Sequence, residues 1–83
     1  METIIVEISV PAISKIFDFQ LPSFGIVRDV TREIIYIVEQ TESCAVFDEV
    51  NPMLCHVDDG RILNPGDTLA EAGAFDGNRL LLL

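Results

Sequence analysis

From Ile4 the apolar positions alternate. Ile4, Val6, Ile8 and Val10 interleave with Ile5, Glu7 and Ser9, the two-residue period of a strand with one buried face. Pro11 has no N–H to give to a ladder and ends the run. After a turn over residues 12–15, Phe17, Phe19 and Leu21 alternate with Ile16, Asp18 and Gln20, so a second strand is expected to fold back as a hairpin and stop at Pro22. Past a loop at 23–25 the period changes: Val27, Val30, Ile34, Ile37, Val38 and Thr41 fall three to four residues apart, with Arg28, Asp29, Arg32, Glu33, Glu39 and Gln40 between them. That spacing predicts a helix of about four turns. Its many β-branched residues and the lack of a capping side chain directly before it leave packing on a sheet as the source of its stability. Ile35 and Tyr36 widen the apolar stripe and predict burial on more than one side.

Residues 43–52, ending in CAVFDEVNP, follow no clear period and fit either a helical extension or an irregular loop. A third strand is expected over 53–57, and Asp59-Gly60 should reverse the chain into a short segment at Arg61, Ile62 and Leu63. NPGD at 64–67 fits a type II turn, with proline second and glycine third. Residues 68–73 are apolar at Leu69 and Ala72 and predict one short helical turn, after which FDGN delivers the chain to a final strand, RLLLL. In that strand Leu80 and Leu82 should point to the helix, and Leu81 and Leu83 away from it. Strands on either side of one helix make an α+β layer: a mixed sheet of four to five strands with one main helix packed across one face.

The 83 residues suffice for a single domain spanning 1–83, and 49% apolar residues separate the chain from acidic disordered segments. Fourteen acidic against five basic residues give a net charge of -9, which repels phosphate backbones and anionic lipid, so no nucleic-acid partner is expected. The excess acid reads most simply as a solvated surface. No basic region precedes an apolar stretch, and the uncharged runs fall short of the ~20 residues of a spanning helix, so neither targeting segment nor direct membrane insertion is expected. Without a secretory signal, Cys44 and Cys55 are expected as reduced thiols in the cytoplasm.

Candidate chemistry is sparse. His56 has no nucleophile beside it, and with Cys44 and Cys55 it makes at most three soft metal ligands without C-x-x-C spacing. Two cysteines fall short of the four that an iron–sulfur cluster takes. Asp58 and Asp59 beside Gly60, like Asp76 beside Gly77, are placed as turn formers. With no phosphate loop, catalytic triplet or metalloprotease motif, the chain is read as no enzyme, with no catalytic residue, metal or cofactor.

DDGRIL, then TLAEAG, then DGNRLLLL resembles the ubiquitin-like β-grasp proteins, in which an Asp-Gly-Arg hairpin, a short helical turn and a terminal strand come in this order. The likeness is to the YukD-like family, small ubiquitin-like proteins associated with bacterial type VII (WXG100 protein) secretion, and it extends over nearly the whole chain. It implies an accessory interaction module that works by contact, is cytoplasmic, and docks at the inner face of the membrane through a membrane-bound secretion component. Ubiquitin and the sulfur carriers end in a flexible Gly-Gly tail, whereas this sequence ends at Leu83 within the expected strand, so the alternative of a modifier or carrier acting through its C-terminus is disfavoured. If first and last strands pair as in a β-grasp, Ile5 and Leu81 lie on neighbouring strands, flanked by Leu54, His56 and Leu83. These five form the expected protein-binding face, because a contiguous exposed apolar patch marks an interaction site, although scattered apolar residues occur on any surface. Weak self-association through the leucine face or an edge strand is the remaining expectation.

Overall fold

In the structure, a computed structural model that describes residues 2–41, 53–58 and 60–83, the first alternation becomes strand β1 (Thr3–Val10), with Ile4, Val6, Ile8 and Val10 buried. Pro11 opens a single 3-10 turn (Pro11–Ile13), closed by a bond from the Ser14 N–H to the Pro11 carbonyl at 3.1 Å. Strand β2 (Lys15–Pro22) then runs antiparallel along all of β1, with Thr3 opposite Pro22 and Val10 opposite Lys15.

The helical period becomes α1 (Val27–Thr41), which buries Val27, Val30, Thr31, Ile34, Ile35 and Val38. Burial is one-sided, contrary to the expectation from Tyr36: that ring is 65% exposed, and Ile37 and Thr41 are exposed as well. A sheet offers one surface, so residues a third of a turn beyond the contact stripe return to solvent. Thr31 takes a core place because its hydroxyl donates to the Val27 carbonyl at 2.7 Å, which satisfies its one polar group. The missing local cap is supplied from far along the chain. The Val27 N–H donates to the Asp67 carbonyl at 2.8 Å and the Arg28 N–H to the Pro65 carbonyl at 3.1 Å, satisfying donors a helix cannot satisfy internally. Gly25 lets the chain enter the helix, since a Cβ there would stand 2.9 Å from both Pro22 Cγ and Val30 Cγ2.

The unread segment 43–52, with Cys44, and the turn residue Asp59 lie outside the described residues. Strand β3 (Leu54–His56) is shorter than the expected 53–57, and the segment 61–63 is no strand but a single bridge from Ile62 to Cys55. Just beyond it, the carbonyls of Pro65 and Asp67 serve the first turn of α1. The turn at 64–67 also differs from expectation. Asp67 N–H reaches the Asn64 carbonyl at 3.1 Å, but the Asn64 side chain accepts from the Gly66 N–H at 2.9 Å, and Gly66 does not adopt the positive φ that a type II turn requires there.

The short turn at 68–73 is held by a capping box: Thr68 N–H donates to Glu71 Oε1 at 3.0 Å and Glu71 N–H to Thr68 Oγ1 at 3.1 Å. The backbone bond from Thr68, followed by its hydroxyl, holds the Glu71 carboxyl below the usual range. Strand β4 (Arg79–Leu82) completes a mixed four-stranded sheet in the order β2-β1-β4-β3, parallel to β1 and antiparallel to β3. Leu80 lies opposite Ile8 and Leu82 opposite Leu54, and these four share one core with Ile34 and Val38 of α1.

Candidate interaction face

Because α1 covers one side of the sheet, the alternate residues of every strand form an open face. Register puts them in rows. Ile16 of β2 stands opposite Ser9 of β1, Ser9 opposite Leu81 of β4, and Leu81 opposite Cys55 of β3, with Ile62 bridged beyond. Large side chains thus alternate with small ones, and the small ones leave a groove of about 390 Å³. Ser9 lines it between Ile16 and Leu81 and Cys55 beyond Leu81, with His56, Val57 and Leu83 also contributing. Both Ile16 and Ile62 are exposed, while Cys55, crowded between Leu81 and Ile62, is only 4% exposed. That burial pushes its free thiol above the ordinary value.

One row along stand Asp18, Glu7 and Arg79, and Arg79 Nε pairs with Glu7 Oε2 at 3.1 Å. Ile5 lies a further row away, beside the turn, where its carbonyl accepts from the Gly77 N–H at 2.8 Å and its N–H donates to Asp76 Oδ1, also at 2.8 Å.

The five expected face residues therefore separate. Leu81, Leu83 and His56 line the groove. Ile5 shares their side of the sheet and is exposed, but the Glu7–Arg79 ion pair lies between it and Leu81. Leu54 is not on this face: it is 1% exposed in the core, because pairing with Leu82 gives it that residue's inward parity. His56 is half-buried and has inward parity, yet it belongs to the groove lining. Its partner is the inward Leu80, and its Nε2 lies 3.1 Å from the Ala72 carbonyl, which also accepts from Arg61 Nη2 at 3.3 Å. The ring thus joins β3 to the short turn, and His56 still lines the groove together with Leu81.

Sequence reasoning missed Ile16, Ser9 and Cys55. Ile16 carried a readable signal, an apolar residue among the polar positions of its strand; Cys55 carried none, since β3 is too short to show a period.

No protein-family model matches the chain, and no curated protein sequence does. Solved structures do. The EccD5 ubiquitin-like domain from Mycobacterium xenopi has a TM-score of 0.81 at 22% identity, covering 100% of this chain and 94% of that one. The ubiquitin-like domain of the Mycobacterium tuberculosis type VII secretion protein ECCD1 has a TM-score of 0.78 at 18% identity, covering 100% and 99%. A chain of the MycP5-free ESX-5 inner membrane complex matches with a TM-score of 0.79 at 20% identity, covering 100% of this chain and 21% of its own length. The chain has the ubiquitin-like β-grasp fold, as the turn motifs led one to expect.

Proposed function

We propose that this protein is a ubiquitin-like interaction module of a type VII secretion machine, that it acts by contact rather than by chemistry, and that the groove around Leu81 is its docking surface. The observation that carries the reading is the row Ile16, Ser9, Leu81 and Cys55, which places a recess between exposed aliphatic walls on a face that α1 leaves open. Fixed strands hold those walls, so an apolar side chain entering the recess displaces water without first ordering the site.

Support for the secretion setting comes from structural neighbours that are themselves ubiquitin-like domains of type VII secretion proteins. A third neighbour belongs to an inner membrane complex, which favours a membrane-bound secretion component as partner and a place at the inner face of the membrane. No helix among the described residues is long and apolar enough to cross a membrane. The carrier alternative draws no support from these neighbours.

The test is a double variant, Ile16→Glu with Leu81→Glu, in a cell that carries the secretion genes. Both side chains lie on the open face, so circular dichroism and the thermal transition should stay close to the parent's, while co-purification with the membrane-bound secretion component is lost. A folded double variant that still brings the component down would sink the reading.

A further inference from the structure

Asp76 and Gly77 form the turn that leads into β4, and both are exposed. An aspartate followed by glycine is a chemically weak point in a chain: with no Cβ on the glycine, its amide nitrogen reaches the aspartate side chain without hindrance. The nitrogen attacks Asp76 Cγ and closes a five-membered imide, while the N–H proton leaves with the hydroxyl of the protonated carboxyl as one water. A second water then opens the ring. Where it enters at the main-chain carbonyl of Asp76, Gly77 stays joined through the side-chain carboxyl, and the product is isoaspartate of unchanged mass. The step needs neither oxidant nor cofactor.

Exposure alone would leave this pair reactive, and the fold opposes the reaction with one residue. Ile5 of β1 donates its N–H to Asp76 Oδ1 at 2.8 Å and accepts the Gly77 N–H at its carbonyl, also at 2.8 Å. The attacking nitrogen and the carboxyl it must reach are thus each tied to the strand, side by side instead of against each other. Asn78 locks the turn from its other end. Its Oδ1 accepts from the Phe75 N–H at 2.7 Å, and its own N–H donates to the Phe75 carbonyl at 3.1 Å. Since Asp76 and Gly77 are not buried, the protection is made of hydrogen bonds. It lasts only while β4 stays beside β1, where the Glu7 N–H donates to the Asn78 carbonyl at 3.0 Å.

We propose that Asp76-Gly77 is a latent isoaspartate site, closed while Ile5 holds both ends of the reaction and open when β4 peels away from β1. Isoaspartate adds one methylene to the main chain directly before the register that sets Glu7 opposite Arg79 and Ser9 opposite Leu81. The lengthened turn no longer returns Gly77 to Ile5 and Asn78 to Glu7 together, so β4 of a modified molecule stays unpaired. A passing separation of two strands thereby becomes a permanent covalent mark.

The full chain is held at neutral pH and physiological temperature beside a blocked peptide spanning residues 73–80. Isoaspartate is read site by site by electron-transfer mass spectrometry, because Asp59-Gly60 is a second pair of the same kind. The folded chain should convert at Asp76 more than roughly tenfold more slowly than the peptide. Asn78→Ala removes the side-chain lock without touching the core, so its thermal transition should stay close to the parent's while conversion quickens severalfold. Leu80→Ala, which loosens β4 itself, should quicken it further. Asp76→Glu, which would have to close a six-membered ring, should give no signal at this site. In the converted fraction, the amides of residues 80–82 should lose their protection from exchange. Three results would overturn the proposal: equal conversion of folded chain and peptide, no acceleration in Leu80→Ala, or converted molecules in which residues 80–82 keep their protection. None of them bears on the groove variant above, which is read by co-purification.

Discussion

The two faces of β4 are built from one kind of side chain and lead different lives. Leu80 is 0% exposed and sits under α1; Leu83, at 55%, lies at the rim of the open groove, and Leu81 between them is half-buried. Hydrophobicity is the same at each position. What differs is the layer opposite, helix on one side and water on the other, so the inner leucines stabilise the fold while the outer ones form a surface. A run of leucine thus carries two kinds of information, and register with β1 and β3 separates them.

The widest gap is expected from truncating each face in turn. Leu80→Ala should cost about 2–5 kcal/mol, since it removes atoms from a filled core, and Leu81→Ala less than about 1 kcal/mol. Equal losses in denaturant unfolding would break the comparison.

Cys55 sharpens it, being buried although it belongs to the open face. Cys55→Ala should cost about 1 kcal/mol at neutral pH, near the value of one buried methylene. Burial raises the thiol's folded value, so in alkali the folded state keeps a proton that the unfolded state has lost. Its contribution is whole below the unfolded thiol value and declines as pH rises from there through the folded one. Unfolding curves taken across that range should fall more steeply for the parent than for Cys55→Ala.

The smallest effect belongs to the ion pair on the open face. Glu7 and Arg79 side chains are 40% and 70% exposed, and a double-mutant cycle of Glu7→Gln with Arg79→Gln should give a coupling of about 0.2–1 kcal/mol that fades in high salt. A larger, salt-resistant coupling would mean that this face is drier than its geometry implies.

How much of this was legible followed from the length of each pattern. β1, β2 and α1 run long enough for their periods to declare which side is buried, and Leu80 and Leu82 shared in that clarity. β3 has three residues, and the step of one that moves Leu54 inward also moves Cys55 outward, so an error of one residue exchanged the faces. Ile5 and Leu81 were assigned the correct side of the sheet, yet nothing along the chain tells how far β4 slides along β1. The pairing of Ser9 with Leu81 decides that, and it leaves Ile5 beside Gly77. The groove depended on the same register, and so it became visible only when the strands were laid side by side.

The first turn of α1 rests on carbonyls of Pro65 and Asp67, some forty positions further on. During synthesis the ribosome has released the whole helix well before either carbonyl exists outside the exit tunnel. The two N–H groups at the start of the helix therefore gain these acceptors only when a loop of about forty residues closes, at an entropic cost that grows slowly with its length.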